Sequence, residues 1–190
     1  MKKYMMTLAA GRLVLTIAFC CAMTMTVFTA CGSDDDDNTP KPDDTTPVAA
    51  VMEYSLETSD AMLATFDLTV EYYDANGKVQ TEPMTQKTWT KKVSAKLPAT
   101  LGARLKAQLK SGVDVSTQEK VSVAYGYNYM GYAVSATDKV VSDIVSHGTS
   151  TSLDMKGEKV SEWLERHADG LVKFLFVFDA KGQPTSSIWQ

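Results

Sequence analysis

From Val48 onward, apolar and polar residues alternate along the chain with a period of two. Met52, Tyr54 and Leu56 alternate with Glu53, Ser55 and Glu57. Met62, Ala64, Phe66, Leu68, Val70 and Tyr72 then share one face, opposite Thr65, Asp67, Thr69 and Glu71. This pattern predicts a long half-buried strand over 62–72, because side chains on a strand point alternately to its two faces. The run stops at Asp74-Ala75-Asn76-Gly77, a tight-turn signal with a glycine free to take positive φ. Residues 79–93 return, with Pro83 marking an edge or a bulge.

Between Leu97 and Leu109 every odd position is Leu or Ala, and the even ones hold Pro98, Thr100, Gly102, Arg104, Lys106 and Gln108. The same leucines are spaced i, i+4 among strong helix formers, so helix and strand compete; Gly102 in the interior favours the strand. "VSVAYGYNYMGYAV" (121–134) reads as a strand bent at Gly131. Over 157–168, Val160, Trp163, Leu164 and His167 fall at i, i+3, i+4 and i+7, which predicts one short amphipathic helix. "LVKFLFVF" (171–178) suits a strand covered on both faces. "EYYDANGK" (71–78) and "FVFDAKGQ" (176–183) share aromatic-Asp-Ala-x-Gly, the same turn chemistry used twice. Strands in this number, with one helix, predict a mainly β chain folded as an antiparallel β-sandwich.

The first thirty residues fall outside this rhythm. Lys2, Lys3 and Arg12 precede an apolar stretch, Leu13–Phe28, and Ala30 offers a small residue at a cut: the anatomy of a signal peptide. An uncleaved membrane helix is the rival, but Leu13–Ala30 is short against the roughly 20 residues of a span and carries four threonines. Removal of the leader takes three cations from the chain's 19 Lys+Arg and leaves 16 against 23 Asp+Glu, a net charge near −7. An acidic surface repels phosphate backbones, which argues against nucleic acid as a partner. Cys20 and Cys21 leave with the leader. Cys31 is then a lone cysteine in an exported chain: free, paired between chains, or modified.

Val27-Phe28-Thr29-Ala30-Cys31 resembles a lipobox, the cleavage and lipidation site of bacterial lipoproteins. Phe28 departs from the usual leucine, and it is also too bulky for the A-x-A cut of an ordinary secretory leader. The resemblance implies lipidation of Cys31, and two or more acyl chains suffice for stable anchoring. Gly32-Ser33 and the four aspartates after them resemble the acidic patch of Bacteroidetes surface lipoproteins. That resemblance implies an outer-membrane protein facing the cell exterior. The same charges also make a solvated spacer. They lack the spaced ligands of a Ca²⁺ loop. Residues 31–47 form an acidic, Pro-rich tether; its Gly32–Pro47 part reaches about 50–58 Å at full extension. Within it, Asp44-Thr45-Thr46 resembles the O-glycosylation acceptor of the same bacteria, which makes Thr45 a candidate glycan site. Exported lipoproteins of this group often carry immunoglobulin-like sandwiches, and residues 48–190 look similar, though without the Cys…Trp…Cys staple.

Chemistry is sparse. His147 and His167 are separated by twenty positions and have no further ligands at zinc spacings. His147, beside Gly148, reads as an exposed loop residue, and His167 as a half-buried packing residue. No G-x-S-x-G elbow and no Lys-Ser/Thr after Gly126 and Gly131 are present, so a serine-hydrolase elbow and a phosphate cradle both fail. Dispersed carboxylates remain open to a hydrolase. No metal and no cofactor is expected. The positive signal is aromatic. Tyr125, Tyr127 and Tyr129 project from one strand face. They line either the sandwich core, with hydroxyls at the rim, or a binding platform. Trp189, near the C-terminus, is expected to be exposed and is the fourth candidate for that platform.

The expectation is a non-catalytic cell-surface module, held to the membrane by its lipid, that binds a glycan or a protein. A structural or assembly subunit of an outer-membrane complex or fibre is the alternative, and a hydrolase is a weaker third.

Overall fold

Alternation puts Ala50, Met52, Tyr54 and Leu56 on one face of the first strand, β1 (Ala49–Thr58), and all four are buried. The computed structural model describes residues 44–189. The leader, Cys31, the four aspartates and the tether up to residue 43 lie outside the described residues.

The strand expected over 62–72 starts later. Ser59 caps a six-residue helix, α1 (Asp60–Thr65): its Oγ accepts a hydrogen bond from the Met62 N–H at 3.1 Å, and Asp60 lies in the first turn, where negative charge is favoured. Met62 is buried from the helix as it would have been from a strand, so its burial alone does not separate the two. β2 (Phe66–Tyr73) then carries Phe66, Leu68, Val70 and Tyr72 inward. The return over 79–93 is two strands, β3 (Val79–Pro83) and β4 (Thr88–Lys96), which lie in different sheets. Pro83 ends β3 at a sheet edge, where its missing N–H costs no ladder bond.

The ambiguous segment is a strand, β5 (Ala99–Leu109). Gly102 is required in it: a Cβ there would come within 2.4 Å of the Phe174 carbonyl oxygen on the neighbouring strand. β6 (Val121–Val134) follows, then β7 (Val145–Met155), which the hydrophobic pattern did not predict. A 3₁₀ turn (Gly157–Lys159) leads into α2 (Val160–Arg166), shorter than the helix expected over 157–168. β8 (Val172–Phe178) is covered on its outer face only in part: Leu175 is buried there, but Lys173 and Val177 are exposed. β9 (Pro184–Ser187) is the last strand among the described residues.

Two antiparallel sheets pack as a sandwich, in the orders β4-β1-β6-β7 and β3-β2-β5-β8-β9. Two clusters fill the space between them. One joins Leu56, Phe66, Leu105 and Val123 to Met62 of α1 and to Val160 and Trp163 of α2. The other holds Met52, Tyr54, Leu101, Phe176 and Phe178. Each large apolar side chain buried in this way contributes about 1.5–3 kcal/mol.

The turn chemistry seen twice in the sequence is real, and a third copy appears. Asp74 Oδ1 accepts from the N–H groups of Asn76 and Lys78, and Asp179 Oδ1 from those of Lys181 and Gln183. Gly77 and Gly182 take φ of 72° and 73°. In Ser135-Ala136-Thr137-Asp138-Lys139 the same backbone bonds form, with Ser135 in the place of the first aspartate and Asp138, at φ 60°, in the place of the glycine. No helix among the described residues is long and apolar enough to cross a membrane.

Candidate functional site

The inner face of β6 presents Tyr125, Tyr127 and Tyr129 toward the opposite sheet, all half-buried. β7 pairs beside it in a register that sets His147 opposite Tyr129, Thr149 opposite Tyr127 and Thr151 opposite Tyr125. Tyr127 and Tyr129, two residues apart, have ring planes within 8° of each other at 6.2 Å. Across the sandwich, Phe174 lies 4.5 Å from Tyr129 and 5.6 Å from Tyr127. His147 leans on both tyrosines, at 5.8 and 6.4 Å. The result is a shelf of rings whose inner side rests on Phe174 and whose outer side opens along β7, where Ser146 to Ser150 are exposed.

Among the described residues, the hydroxyls of Tyr125, Tyr127 and Tyr129 have no hydrogen-bond partner, and none is sealed from solvent. Burial raises the Tyr129 phenol above its ordinary value, and the neighbouring Tyr127 raises it further, so its hydroxyl stays a donor at neutral pH. Tyr54, deeper in the core, differs: its hydroxyl is buried against the Gly102 backbone without a well-formed bond, and burial pushes its pKa strongly upward.

The opposite side of the sandwich is tied shut. Glu82 of β3 accepts hydrogen bonds from the Tyr72 hydroxyl at 2.7 Å, Trp89 Nε1 at 2.9 Å and Lys91 Nζ at 2.6 Å. Trp89 and Lys91 belong to β4, so one carboxylate joins the edges of both sheets. Lys91 and then Tyr72 hold its pKa down at about 2, against the cost of partial burial, and Trp89 adds to the effect. Lys91 also sits 4.9 Å above the Tyr72 ring. With its oxygens so engaged, Glu82 serves as a structural clasp. Among the described residues, no hydrogen bond or ion pair joins β7 to β8 or β9.

Trp189 corrects an expectation: it is buried, not exposed. After β9 the chain turns over the outer face of its sheet, and the indole packs on Tyr73 at 5.1 Å and on the Arg104 guanidinium at 5.0 Å. Arg104 is itself paired with Glu71 and Asp169. Trp189 is therefore apart from the tyrosine shelf. Beside it, a groove of about 540 Å³ opens between Asn76, Lys96, Pro98, Val177 and Ile188, with no carboxylate in its lining.

Thr45 is exposed at the start of the described chain. Asp44, before it, is held on the third turn: it accepts from Ser135 at 3.3 Å and from Thr137, and pairs with Lys139 at 3.2 Å. The Thr137 bond, then Lys139, lowers its pKa. His147, expected in a loop, lies on β7 and belongs to the shelf. The odd positions Val145, His147, Leu153 and Met155 carried a faint period-two signal for it. His167 bonds the Trp163 carbonyl through Nδ1 at 2.7 Å. No group of His, Cys, Asp and Glu among the described residues is placed to hold a metal ion. No protein-family model matches the chain, and no curated protein or solved structure matches it either.

Proposed function

We propose that this chain is a non-catalytic, lipid-anchored surface protein of the bacterial outer membrane, and that the shelf of Tyr125, Tyr127, Tyr129 and His147 binds a neutral glycan. One observation carries the reading: three tyrosine hydroxyls, accessible and without partners among the described residues, stand in a row on β6, a strand paired on both sides. Sugars present weakly polar C–H faces and many hydroxyls. Ring edges with phenolic and imidazole hydrogen-bonding groups complement both. The flanking Thr149 and Thr151 add neutral hydroxyls and no charge, which suits an uncharged ligand. A rigid strand holds the row without an ordering cost on binding.

The anchor completes the proposal. Cys31 carries the lipid and the four aspartates direct the protein outward. Cys31→Ala is expected to release the protein into the soluble exported fraction. An unmodified Cys31 on a membrane-bound chain overturns the anchor.

The binding test uses the detergent-solubilised full chain and a panel of soluble polysaccharides in affinity electrophoresis. Changing all three tyrosines to phenylalanine keeps the rings and removes only the hydroxyls. Retardation by a polysaccharide that is lost in this variant is the expected result. Retardation that persists unchanged, or none by any neutral polysaccharide, overturns the assignment.

A further inference from the structure

Sheet edges are normally defended against pairing with another chain by shortness, proline or charge, above all lysine. Three of the four edges here follow that rule. β3 has five residues and ends on Glu82-Pro83; β9 has four and starts with Pro184. β4 is longer but carries Lys91, Lys92 and Lys96. β7 does not follow it. It has eleven residues, pairs among the described residues only with β6, contains no proline, and bears no charged side chain from Val145 to Leu153. Its residues Ser146 to Ser150 are exposed.

The character of this edge selects its occupant. An antiparallel strand can pair with its own copy about a twofold axis, which gives a closed and self-complementary contact. Placing that axis at the strand's midpoint, Ser150, uses the whole strand. On the inner face Val145 then meets Met155, His147 meets Leu153, and Thr149 meets Thr151. On the outer face Gly148 meets Ser152, Ser146 meets Asp154, and Ser150 meets itself. Apolar side chains oppose apolar or aromatic ones, hydroxyls oppose hydroxyls, and no like charges face each other. A shift by one residue would set inner-face against outer-face residues, so the pleat favours an axis that keeps the faces matched.

We propose that β7 is a self-association edge: two copies of this chain pair antiparallel through β7, centred on Ser150, and fuse their four-stranded sheets into one continuous sheet. The two tyrosine shelves then flank the axis on the same side of that sheet. The pairing needs no ligand, so it stands or fails separately from glycan binding.

Cysteine cross-linking on the intact lipidated chain in cells tests both the pairing and its register. Residues facing each other across antiparallel strands have Cα atoms about 4.5–5.5 Å apart, within disulfide range. Ser150→Cys is therefore expected to give an oxidant-dependent homodimer on non-reducing gels. Ser146→Cys alone should not, because the two copies of that residue lie eight positions apart in register, roughly 26 Å. Adding Asp154→Cys to Ser146→Cys should restore the dimer. Thr90→Cys, exposed on β4, and the unsubstituted chain set the background. A Ser150→Cys yield no higher than background overturns the proposal. So does equal cross-linking by Ser146→Cys alone, which marks random collision, or a product with a chain of different mass, which puts a heterologous partner on the strand.

Discussion

The two long sides of this sandwich solve the same packing problem differently. Between β3 and β4 the sheets are joined by Glu82, whose oxygens bind a tyrosine, a tryptophan and a lysine. On the β7–β8 side no hydrogen bond crosses between the sheets among the described residues: Tyr127 and Tyr129 rest on Phe174, Val145, Leu153 and Met155 add apolar contact, and the tyrosine hydroxyls are left unused. Both sides are aromatic. What separates them is whether the polar ends of the rings are spent inside the protein. Spent groups add stability; unspent groups are available to a ligand. A fold that needed only stability would have closed both sides, since an unpaired hydroxyl at a rim contributes little to it.

The largest effect should come from the ring on which the open side rests. Phe174→Ala removes the surface shared by Tyr54, Tyr127 and Tyr129. For a half-buried phenylalanine it is expected to cost about 2–4 kcal/mol in urea unfolding, somewhat below the range of a fully buried one. A loss under about 0.5 kcal/mol, typical of a surface site, would show that the shelf is not seated on the core.

On the clasped side, Glu82→Ala leaves three donors without their acceptor. Because the Glu82 side chain is 35% exposed, water takes over part of the role, and the expected cost is about 1–2 kcal/mol. Its pH dependence has a definite sign. The folded pKa, about 2, lies below the ordinary 4.5, so the clasp's contribution is complete above pH 4.5 and is lost as pH falls toward 2. Urea midpoints measured across that window should fall more steeply for the natural chain than for Glu82→Gln. Equal slopes would remove the clasp from the account.

The smallest effect on stability belongs to the open rim. His147→Ala, at an exposed strand position, should change stability by no more than about 0.5 kcal/mol while weakening polysaccharide retardation. A large stability loss would place His147 among the structural rings.

How much of this was legible follows from what each segment buries. Strands with one covered face, β1, β2, β5 and β6, show alternation, and the sequence pattern predicts them. β7 has neither face well covered, so its Ser, Thr and Gly carry no apolar stripe. Spacing alone does not separate α1 from strand, because Met62 and Phe66 fit both periods; the signal that decides it is the cap at Ser59. A place near the chain's end suggests exposure for Trp189, but Tyr73 and Arg104, brought together on the outer face of its sheet by the pairing of β2 with β5, bind the indole. The tyrosine face was visible from spacing. The free state of its hydroxyls, and the Glu82 clasp with its partners drawn from β2 and β4, depend on the pairing of strands and have no spacing motif.

The central claim, that tyrosine hydroxyls are spent on one side and free on the other, is tested most directly by the same one-atom deletion on each side. Tyr72→Phe and Tyr127→Phe are compared in urea unfolding at neutral pH. The expected result is a loss of about 1 kcal/mol for Tyr72→Phe, whose hydroxyl donates to a partly exposed carboxylate, and a change within about 0.5 kcal/mol for Tyr127→Phe. Equal losses, or a larger one for Tyr127→Phe, would contradict it.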